Sequence, residues 1–221
     1  MAEMRIDMKR AVIFDLDGTL LNTLEDLRDS VNVALMRNEL PERTLKEVRQ
    51  FVGNGIHKLI ERAVPEGASE RVVEQVFHDF RSYYMEHCED KTCVYPGIGE
   101  LLAELKRREI SMAIVSNKAD GAVKELAKEY FSEITVAIGE REGIARKPAP
   151  DSVFETMRLL GVSREETLYV GDSDVDVATA GNAGLPCVAV TWGFREEAFL
   201  RSLNPAFVIH RPEELLELLG K

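Results

Sequence analysis

The sequence has few cysteines and no long apolar run. Three cysteines occur among 221 residues, Cys88, Cys93 and Cys187, and none forms a C-x-x-C spacing. An odd number of thiols without that spacing favours reduced cysteines, with a Cys88–Cys93 bridge as the alternative. No stretch approaches about 18 consecutive apolar residues, which argues against a membrane span. Met1–Arg10 lacks the apolar core of a signal peptide, so we expect a cytoplasmic protein.

Positive charge and histidine are also scarce. The chain carries 28 Lys and Arg against 39 Asp and Glu, which gives a formal net charge of -11. This charge opposes any partner whose binding needs many neutralised phosphates, so we expect neither nucleic acid nor an anionic membrane. A small anion can still bind where local donors are arranged for it. The four histidines are scattered, with no pair at metal-ligand spacing.

From Tyr95 onward, short β-branched runs alternate with amphipathic segments. This alternation predicts an α/β fold, a Rossmann-like doubly wound parallel sheet with helices on both faces. The apolar run at 11–14 is too short for a helix and is expected to be the first strand of that sheet. The other predicted strands are Met112–Val115, Thr135–Ile138, Leu168–Val170, Cys187–Val190 and Phe207–Ile209. The predicted helices are Ile98–Arg108, Ala119–Tyr130, Ser152–Leu160, Val175–Ala183 and Glu213–Leu219.

A helical pattern interrupts this order between residues 22 and 90. Apolar residues recur at helical spacing from Leu24 to Leu35, and Thr44–Glu47 fits a capping box. An aromatic stripe between residues 72 and 84 keeps the 3.6-residue period, which assigns it to a helical core and not to a ligand stack. We therefore predict an α/β core of residues 1–21 and 91–221, with an inserted helical domain of residues 22–90.

Two carboxylates, Asp15 and Asp17, follow the first buried strand, and Gly18 then breaks it. Alone, this stretch is equally well a strand ending in an Asp-Gly turn. In an open parallel sheet, however, residues that follow the strands meet at one edge, and Asp172 follows another predicted strand. Like charges ~4 Å apart repel by about 4 kcal/mol at an effective dielectric constant near 20, so the cluster requires a cation. Oxygen ligands without histidine or cysteine indicate Mg²⁺.

A hydroxyl and a lysine complete this predicted edge. Ser116 follows the strand at 112–115, and Lys147 lies on a loop that two prolines stiffen. A solvated lysine is the ordinary alternative, but a lysine held at an acidic edge is a candidate charge partner. Asp174 and Asp176 are sufficiently explained as acids in the first turn of a helix. A carboxylate nucleophile, a second acid, a hydroxyl, a lysine and a hard metal together indicate phosphoryl transfer.

These residues resemble the haloacid dehalogenase superfamily, and within it the phosphatases of the phosphoglycolate phosphatase type with a helical cap. The resemblance covers nearly the whole chain, and four motifs occur in the family's order. They are Asp15-Leu16-Asp17-Gly18-Thr19, Val115-Ser116-Asn117-Lys118, Lys147-Pro148 and Gly171-Asp172-Ser173-Asp174-Val175-Asp176. Each motif alone has modest specificity, whereas the four together are specific. The insert at 22–90 corresponds to the family's cap, which closes over the site.

The resemblance assigns a role to each motif residue. It implies that Asp15 is the nucleophile that forms an aspartyl-phosphate and that Asp17 moves protons for the leaving oxygen and the attacking water. It implies that Lys147 bridges Asp15 and the phosphate. The phosphoryl oxygens would be held by Ser116, Lys147 and backbone N–H groups near Gly18 and Asn117.

The resemblance also implies a set of metal ligands. Mg²⁺ would be bound by Asp15, by Asp17 through its carbonyl, and by Asp172, with Asp176 as an outer or second carboxylate. In the cap, Asn54 is a candidate substrate contact, while a plain turn residue is an equal alternative.

The sequence therefore predicts a phosphoric monoester hydrolase that depends on Mg²⁺ and acts on a small phosphorylated metabolite resembling phosphoglycolate. Its partner would be a small-molecule phosphate ester, and a monomer or a homodimer is compatible with the sequence. A β-phosphoglucomutase-like mutase and a pyrophosphatase use similar sites and stay open. A receiver that is phosphorylated on aspartate as a signalling switch is the non-enzymatic alternative, although receivers are shorter and lack the insert.

Overall fold

The structure is a computed structural model that describes residues 9–219. Residues 1–8, on which part of the signal-peptide expectation falls, and residues 220 and 221 lie outside the described residues. The chain divides into two compact units, which are residues 21–93 and the described residues on either side of that segment. Sequence analysis placed the corresponding boundaries after residues 21 and 90.

The first half of the chain contains one buried strand followed by helices. It comprises β1 (Ala11–Phe14), β2 (Leu21–Asn22), α1 (Leu24–Arg37), α2 (Leu45–Phe51), α3 (Ile56–Ala63), α4 (Glu70–His87) and β3 (Cys93–Val94). The second half alternates helices and strands: α5 (Ile98–Arg107), β4 (Ser111–Ala119), α6 (Asp120–Tyr130), β5 (Val136–Glu140), α7 (Asp151–Leu160), β6 (Thr167–Gly171), α8 (Asp174–Ala183), β7 (Cys187–Val190), α9 (Glu197–Ser202), β8 (Phe207–Ile209) and α10 (Glu214–Leu218).

The larger unit is built on a six-stranded parallel sheet in the order β5-β4-β1-β6-β7-β8. From β1 the chain builds the sheet first in one direction and then in the other. Right-handed crossovers in opposite directions place helices on opposite faces of the sheet. The predicted α/β class with a doubly wound parallel sheet is confirmed. Short α9, in which only Leu200 is buried, was not predicted.

Strand β1 lies at the centre of this sheet because all four of its residues are apolar. Each is buried, and the strand pairs with β4 on one side and β6 on the other. A strand covered on both faces has no solvent side, so it shows a continuous apolar run without alternation. One packed cluster beside it includes Ile13, Val115, Val153, Tyr169 and Leu185.

The smaller unit is helical, and its helices follow the predicted pattern. Thr44 and Glu47 form the predicted capping box at the start of α2. On α4, Phe80 and Tyr84 are buried with their rings stacked at 5.1 Å, which agrees with a core role for the aromatic stripe. The buried carboxylate of Asp26 accepts the N–H groups of Lys91 and Thr92, and so joins α1 to the last segment of the unit.

Among residues 9–219, no helix has both the length and the apolar character needed to cross a membrane. The same part of the chain contains no disulfide, as expected for three cysteines without a pairing pattern.

Candidate active site

The sheet register brings the predicted site residues to one edge. Phe14 is level with Ile114 of β4 and with Val170 of β6, so the residues that follow these three positions emerge side by side. Asp15 extends β1 by one step, because its N–H donates to the carbonyl of Val170 at 2.9 Å. Carboxyl ends of parallel strands are where ligands bind in such sheets.

A buried lysine holds two of the acids at this edge. The Nζ atom of Lys147 lies 2.8 Å from Oδ1 of Asp15 and 2.9 Å from Oδ1 of Asp176. It also lies 3.2 Å from the hydroxyl of Tyr169. Burial opposes the charge on Lys147, but the adjacent carboxylates outweigh burial and hold the pKa of Lys147 well above its usual range. Lys147 is therefore a charged partner of the acids and not a solvated side chain.

The side chain of Asn117 fixes the backbone of Lys147. Oδ1 of Asn117 accepts the N–H of Lys147 at 2.8 Å, and Nδ2 of Asn117 donates to the carbonyl of Lys147 at 3.1 Å. These two bonds join the end of β4 to the loop before α7. The sequence predicted that backbone N–H groups near Asn117 bind phosphate. The structure adds that the side chain of Asn117 holds the backbone of Lys147 in place.

Asp176 is held on every side by donors. One oxygen accepts from Lys147 and from the Tyr169 hydroxyl, and the other accepts from the N–H and hydroxyl of Ser173. Ser173 and Asp176 form the capping box of α8. The explanation of Asp176 as an acid at a helix start is thus correct but incomplete, because the same carboxylate anchors the lysine.

The side chain of Asp172 packs closely against the backbone at Gly18 and Gly193. Its Oδ2 accepts the N–H of Phe194 at 2.6 Å, and the Thr19 hydroxyl lies 3.5 Å from its Oδ1. A Cβ added to Gly193 would come within 2.3 Å of Asp172, and one added to Gly18 within 2.5 Å. Gly18 also has a φ of +90°, which side chains disfavour. Both glycines are required by the close approach to this carboxylate.

Three acidic side chains at the sheet edge form a group that could hold a metal ion. Oxygen atoms of Asp15, Asp172 and Asp176 lie within 4.8 Å of one another, and all three residues are buried. Burial and then the charge of Asp176 raise the pKa of Asp15 well above its usual range, against the opposing effect of Lys147. Burial and Asp176 likewise raise the pKa of Asp172 to about 7. The single lysine does not balance this charge, so a hard divalent cation fits the donor set.

The carboxylate of Asp17 lies outside this trio and has its own cation. Oδ1 of Asp17 is 3.1 Å from Nζ of Lys118, and side-chain exposure is 19% for the aspartate and 7% for the lysine. The two strand-end acids therefore have different surroundings. Asp15 belongs to the acidic trio and contacts Lys147, whereas Asp17 is paired with Lys118.

The remaining predicted residues occupy the following positions. The structure extends β4 to Ala119, four residues beyond the predicted end, because pairing with β5 resumes at Ala119 after a register shift. Ser116 therefore lies within the strand, where its Oγ accepts the N–H of Lys118 at 3.1 Å. Asn54 lies in the helical unit, where its Oδ1 accepts from Arg62 at 2.7 Å, and its contact with substrate stays a prediction.

Sequence reasoning missed Lys118, Tyr169 and Gly193. Lys118 stood inside a recognised motif but gave no separate signal. Tyr169 lies in an apolar strand, where an aromatic residue indicates core packing, and only the structure shows the partners of its hydroxyl. Gly193 carries no local pattern that marks it, because its close approach to Asp172 depends on the fold, which brings together residues distant in sequence.

Comparison with known proteins identifies the family. A sequence model described as haloacid dehalogenase-like hydrolase matches residues 12–190. The chain belongs to this family. A phosphoglycolate phosphatase from Pseudomonas savastanoi pv. phaseolicola is 34% identical over 220 residues, which cover 95% of this chain and 79% of that protein. One from Aquifex aeolicus is 31% identical over 216 residues, covering 95% of this chain and 96% of that protein.

Solved structures agree with this placement of the hydrolase. A predicted phosphoglycolate phosphatase from Haemophilus somnus is 27% identical, with a TM-score of 0.88 and coverage of 96% of this chain and 98% of that one. A protein from Lactobacillus delbrueckii subsp. bulgaricus is 33% identical, with a TM-score of 0.92 and coverage of 97% and 100%. The predicted membership of the haloacid dehalogenase superfamily is confirmed.

Gly193→Ala is expected to displace Asp172 and to weaken Mg²⁺ binding by this hydrolase. The added Cβ would lie 2.3 Å from Cβ of Asp172 and 2.4 Å from the carbonyl oxygen of Gly18. Such overpacking costs about 1–3 kcal/mol, and thermal unfolding with and without Mg²⁺ measures both effects. Gly181→Ala is the matched control, because nothing lies within 4 Å of its added Cβ. Equal unfolding temperatures and equal Mg²⁺ responses for the two variants would contradict the assignment.

Removal of divalent cations is expected to make stability fall as pH rises. The pKa of Asp172 is raised to about 7, whereas an aspartate in an unfolded chain titrates near ~3.9. Between these values the folded protein holds more protons than the unfolded chain, so the free energy of unfolding decreases with rising pH. In a chelator, the unfolding temperature should be lower at about pH 7.5 than at about pH 5.5, and added Mg²⁺ should stabilise more at the higher pH.

Asp172→Asn is the control for this pH dependence. The variant lacks one of the carboxylates whose pKa is raised, so its unfolding temperature should vary less with pH and respond less to Mg²⁺. An identical pH dependence in the variant and the wild type would show that Asp172 does not titrate as described.

Proposed function

We propose that this hydrolase is a Mg²⁺-dependent phosphatase that cleaves a small phosphomonoester, phosphoglycolate or a closely related ester, through an aspartyl-phosphate. The observation that carries the proposal is the position of Lys147, which bridges Asp15 and Asp176 beside Asp172. This arrangement presents a carboxylate nucleophile, a fixed positive charge and further oxygen ligands at one sheet edge. It is suited to a phosphoryl group whose charge must be offset during transfer.

In the first step, an oxygen of Asp15 attacks phosphorus and the bond from phosphorus to the ester oxygen breaks. Asp17 gives its proton to that oxygen, which leaves as an alcohol. In the second step, water attacks phosphorus, and Asp17 takes a proton from the water. The bond between phosphorus and Asp15 breaks, and inorganic phosphate leaves. Lys147, whose Nζ lies 2.8 Å from Oδ1 of Asp15 in the structure, offsets charge on the phosphoryl oxygens.

Mg²⁺ would be held by Asp15 and Asp172 and by the carbonyl of Asp17. When bound, it supplies positive charge that offsets the repulsion between the acids and the phosphate. Asp176 would support it from outside, because both Asp176 oxygens already accept hydrogen bonds from protein donors. Ser116 and backbone N–H groups near Gly18 and Asn117 would hold the phosphoryl oxygens.

Two observations favour phosphate esters over other substrates of the family. Asp17 provides the acid that an alkoxide leaving group requires, whereas halide needs none. Several relatives that match nearly the whole chain are named phosphoglycolate phosphatases. We also propose a cytoplasmic location, because three cysteines without C-x-x-C spacing favour reduced thiols.

Phosphate release from a panel of compounds tests the proposal. Purified protein would be incubated with phosphoglycolate, ethyl phosphate, p-nitrophenyl phosphate, sugar phosphates and pyrophosphate, with Mg²⁺ or with chelator. We expect Mg²⁺-dependent release, greatest with phosphoglycolate. Isomerised sugar phosphate without free phosphate would favour a mutase, and preference for pyrophosphate a pyrophosphatase. A stable aspartyl-phosphate without turnover would favour a receiver switch.

A further inference from the structure

A tyrosine hydroxyl lies among the charged groups of the site. Tyr169 belongs to β6, is fully buried and is part of the packed cluster that includes Val153 and Leu185. Its hydroxyl lies 3.2 Å from Nζ of Lys147 and 3.1 Å from Oδ1 of Asp176. Phenylalanine would fill the same place in the cluster, so packing alone does not require the hydroxyl.

The hydroxyl completes the hydrogen bonding of the Lys147 ammonium group. An ammonium group has three N–H donors and no acceptor. Two of the donors go to carboxylate oxygens, at 2.8 Å to Asp15 and at 2.9 Å to Asp176. The third goes to the Tyr169 hydroxyl at 3.2 Å, and this hydroxyl in turn donates to Asp176. Three acceptors fix both the position of the nitrogen and the rotation of the group, whereas two acceptors leave it free to tilt.

The position of the lysine bears directly on the proposed nucleophile. The N–H of Lys147 that points to Asp15 orients the oxygens of that carboxylate toward phosphorus. Attack requires the reacting atoms to be about 3–3.5 Å apart with aligned orbitals, and a misplacement of about 1 Å can cost ~100-fold in rate. An ammonium group that tilts toward Asp176 would therefore leave Asp15 poorly placed for attack.

We propose that Tyr169 is a positioning residue, whose hydroxyl fixes the ammonium group of Lys147 and so holds Asp15 in line for attack on phosphorus. This inference rests on the proposed phosphatase function. Other groups, among them Ser116 and backbone N–H groups, would bind the phosphate of the substrate. Loss of the Tyr169 hydroxyl should therefore slow the chemical step and leave substrate binding almost unchanged.

Tyr169→Phe tests this role because it removes only the hydroxyl. With Mg²⁺ and phosphoglycolate, we expect kcat to fall about 10- to 100-fold and KM to change by less than about threefold. If the hydroxyl served stability alone, the unfolding temperature would fall, but kcat of the folded variant would match the wild type. Tyr83→Phe is the matched control, because the Tyr83 ring stacks on His87 in the helical unit. It should keep the wild-type kcat and KM.

A double variant tests whether the hydroxyl acts through the lysine. Residual phosphate release would be compared between Lys147→Met and Lys147→Met/Tyr169→Phe. Without an ammonium group to position, the loss of the hydroxyl should lower kcat by less than about threefold. A second fall as large as that of Tyr169→Phe in the wild-type background would show that Tyr169 acts independently of Lys147 and would overturn the proposal.

Nuclear magnetic resonance provides a readout that requires neither turnover nor a variant. A buried ammonium group with three bonded N–H groups exchanges its protons slowly with water, so its signal becomes observable. Wild-type protein labelled with ¹⁵N-lysine should show such a signal with a nuclear Overhauser effect to the ring protons of Tyr169. In Tyr169→Phe, the same signal should broaden because proton exchange is faster.

The outcomes separate this inference from the proposed function. If the wild type releases phosphate from its esters but Tyr169→Phe has an unchanged kcat, the phosphatase stands and the positioning role is overturned. Absence of the Overhauser effect in the wild type overturns that role equally, and this result decides even if the variants fail to fold. Release of phosphate from none of the esters overturns the proposed function and this inference together.

Discussion

Asp15→Asn is expected to reduce phosphate release from p-nitrophenyl phosphate and phosphoglycolate by about four to six orders of magnitude, as for other enzymes that lose their nucleophile. The amide keeps the shape of the side chain but cannot attack phosphorus, and the remaining residues cannot substitute for it. Lys147 and Asp176 are still paired in the variant, so the fold is retained. The measurement is steady-state phosphate release with Mg²⁺, together with circular dichroism of the purified variant.

A matched aspartate on the same edge is available as a control. Asp174 lies in the first turn of α8, where its Oδ1 accepts from Arg195 at 3.0 Å, and it has no part in the proposed chemistry. Asp174→Asn should retain turnover near the wild-type rate. Comparable activity of Asp15→Asn and the wild type would remove Asp15 from the mechanism.

The unfolding temperature of Asp15→Asn gives a second check. Burial and the charge of Asp176 raise the pKa of Asp15 well above its usual range, which means that its carboxylate is disfavoured in the folded protein. Replacement by a neutral amide should therefore not lower the unfolding temperature at neutral pH. This distinguishes loss of the nucleophile from loss of the fold.

The sheet and its site edge could be predicted because they depend on local sequence. The run at 11–14 is apolar at every position, so it could only be a buried strand, and the acids that follow it had to emerge at the edge. Parallel register then carried Asp172 to the same place. The helices of the smaller unit could also be predicted, because their 3.6-residue period and the Thr44–Glu47 capping box are properties of neighbouring residues.

The contacts between side chains could not be predicted in the same way. The hydroxyl of Tyr169 bonds Asp176, seven residues onward, and contacts Lys147, 22 residues back. Lys118 meets Asp17 across 101 residues. No periodic pattern encodes such pairs, because they depend on the register of several strands and on side-chain rotamers. The motifs therefore predicted that Asp15, Lys147 and Asp172 meet at one sheet edge, where the structure has them, but not that Lys118 contacts Asp17.

Lys147→Met should cause the largest loss of stability among single substitutions at this edge. Methionine fills a similar volume, but it leaves the buried carboxylates of Asp15 and Asp176 without the ammonium group that lies within 2.9 Å of both. Removing one partner of a buried ion pair costs about 3–5 kcal/mol. For a chain of this length, that corresponds to a fall in unfolding temperature of roughly 6–20 °C. Differential scanning calorimetry in chelator measures the change.

We expect Lys147→Met to lose stability because of the unbalanced charge and not because of lost packing, and two comparisons test this. The double variant Lys147→Met/Asp176→Asn removes one of the stranded carboxylates and should recover part of the lost stability. Acidification should also narrow the gap between Lys147→Met and the wild type, because the raised pKa of Asp15 lets it take up a proton in the folded state and lose its charge. Lys128→Met, at an exposed position, should match the wild type. If neither acidification nor the added Asp176→Asn substitution reduces the loss of stability, Lys147 has a packing role instead.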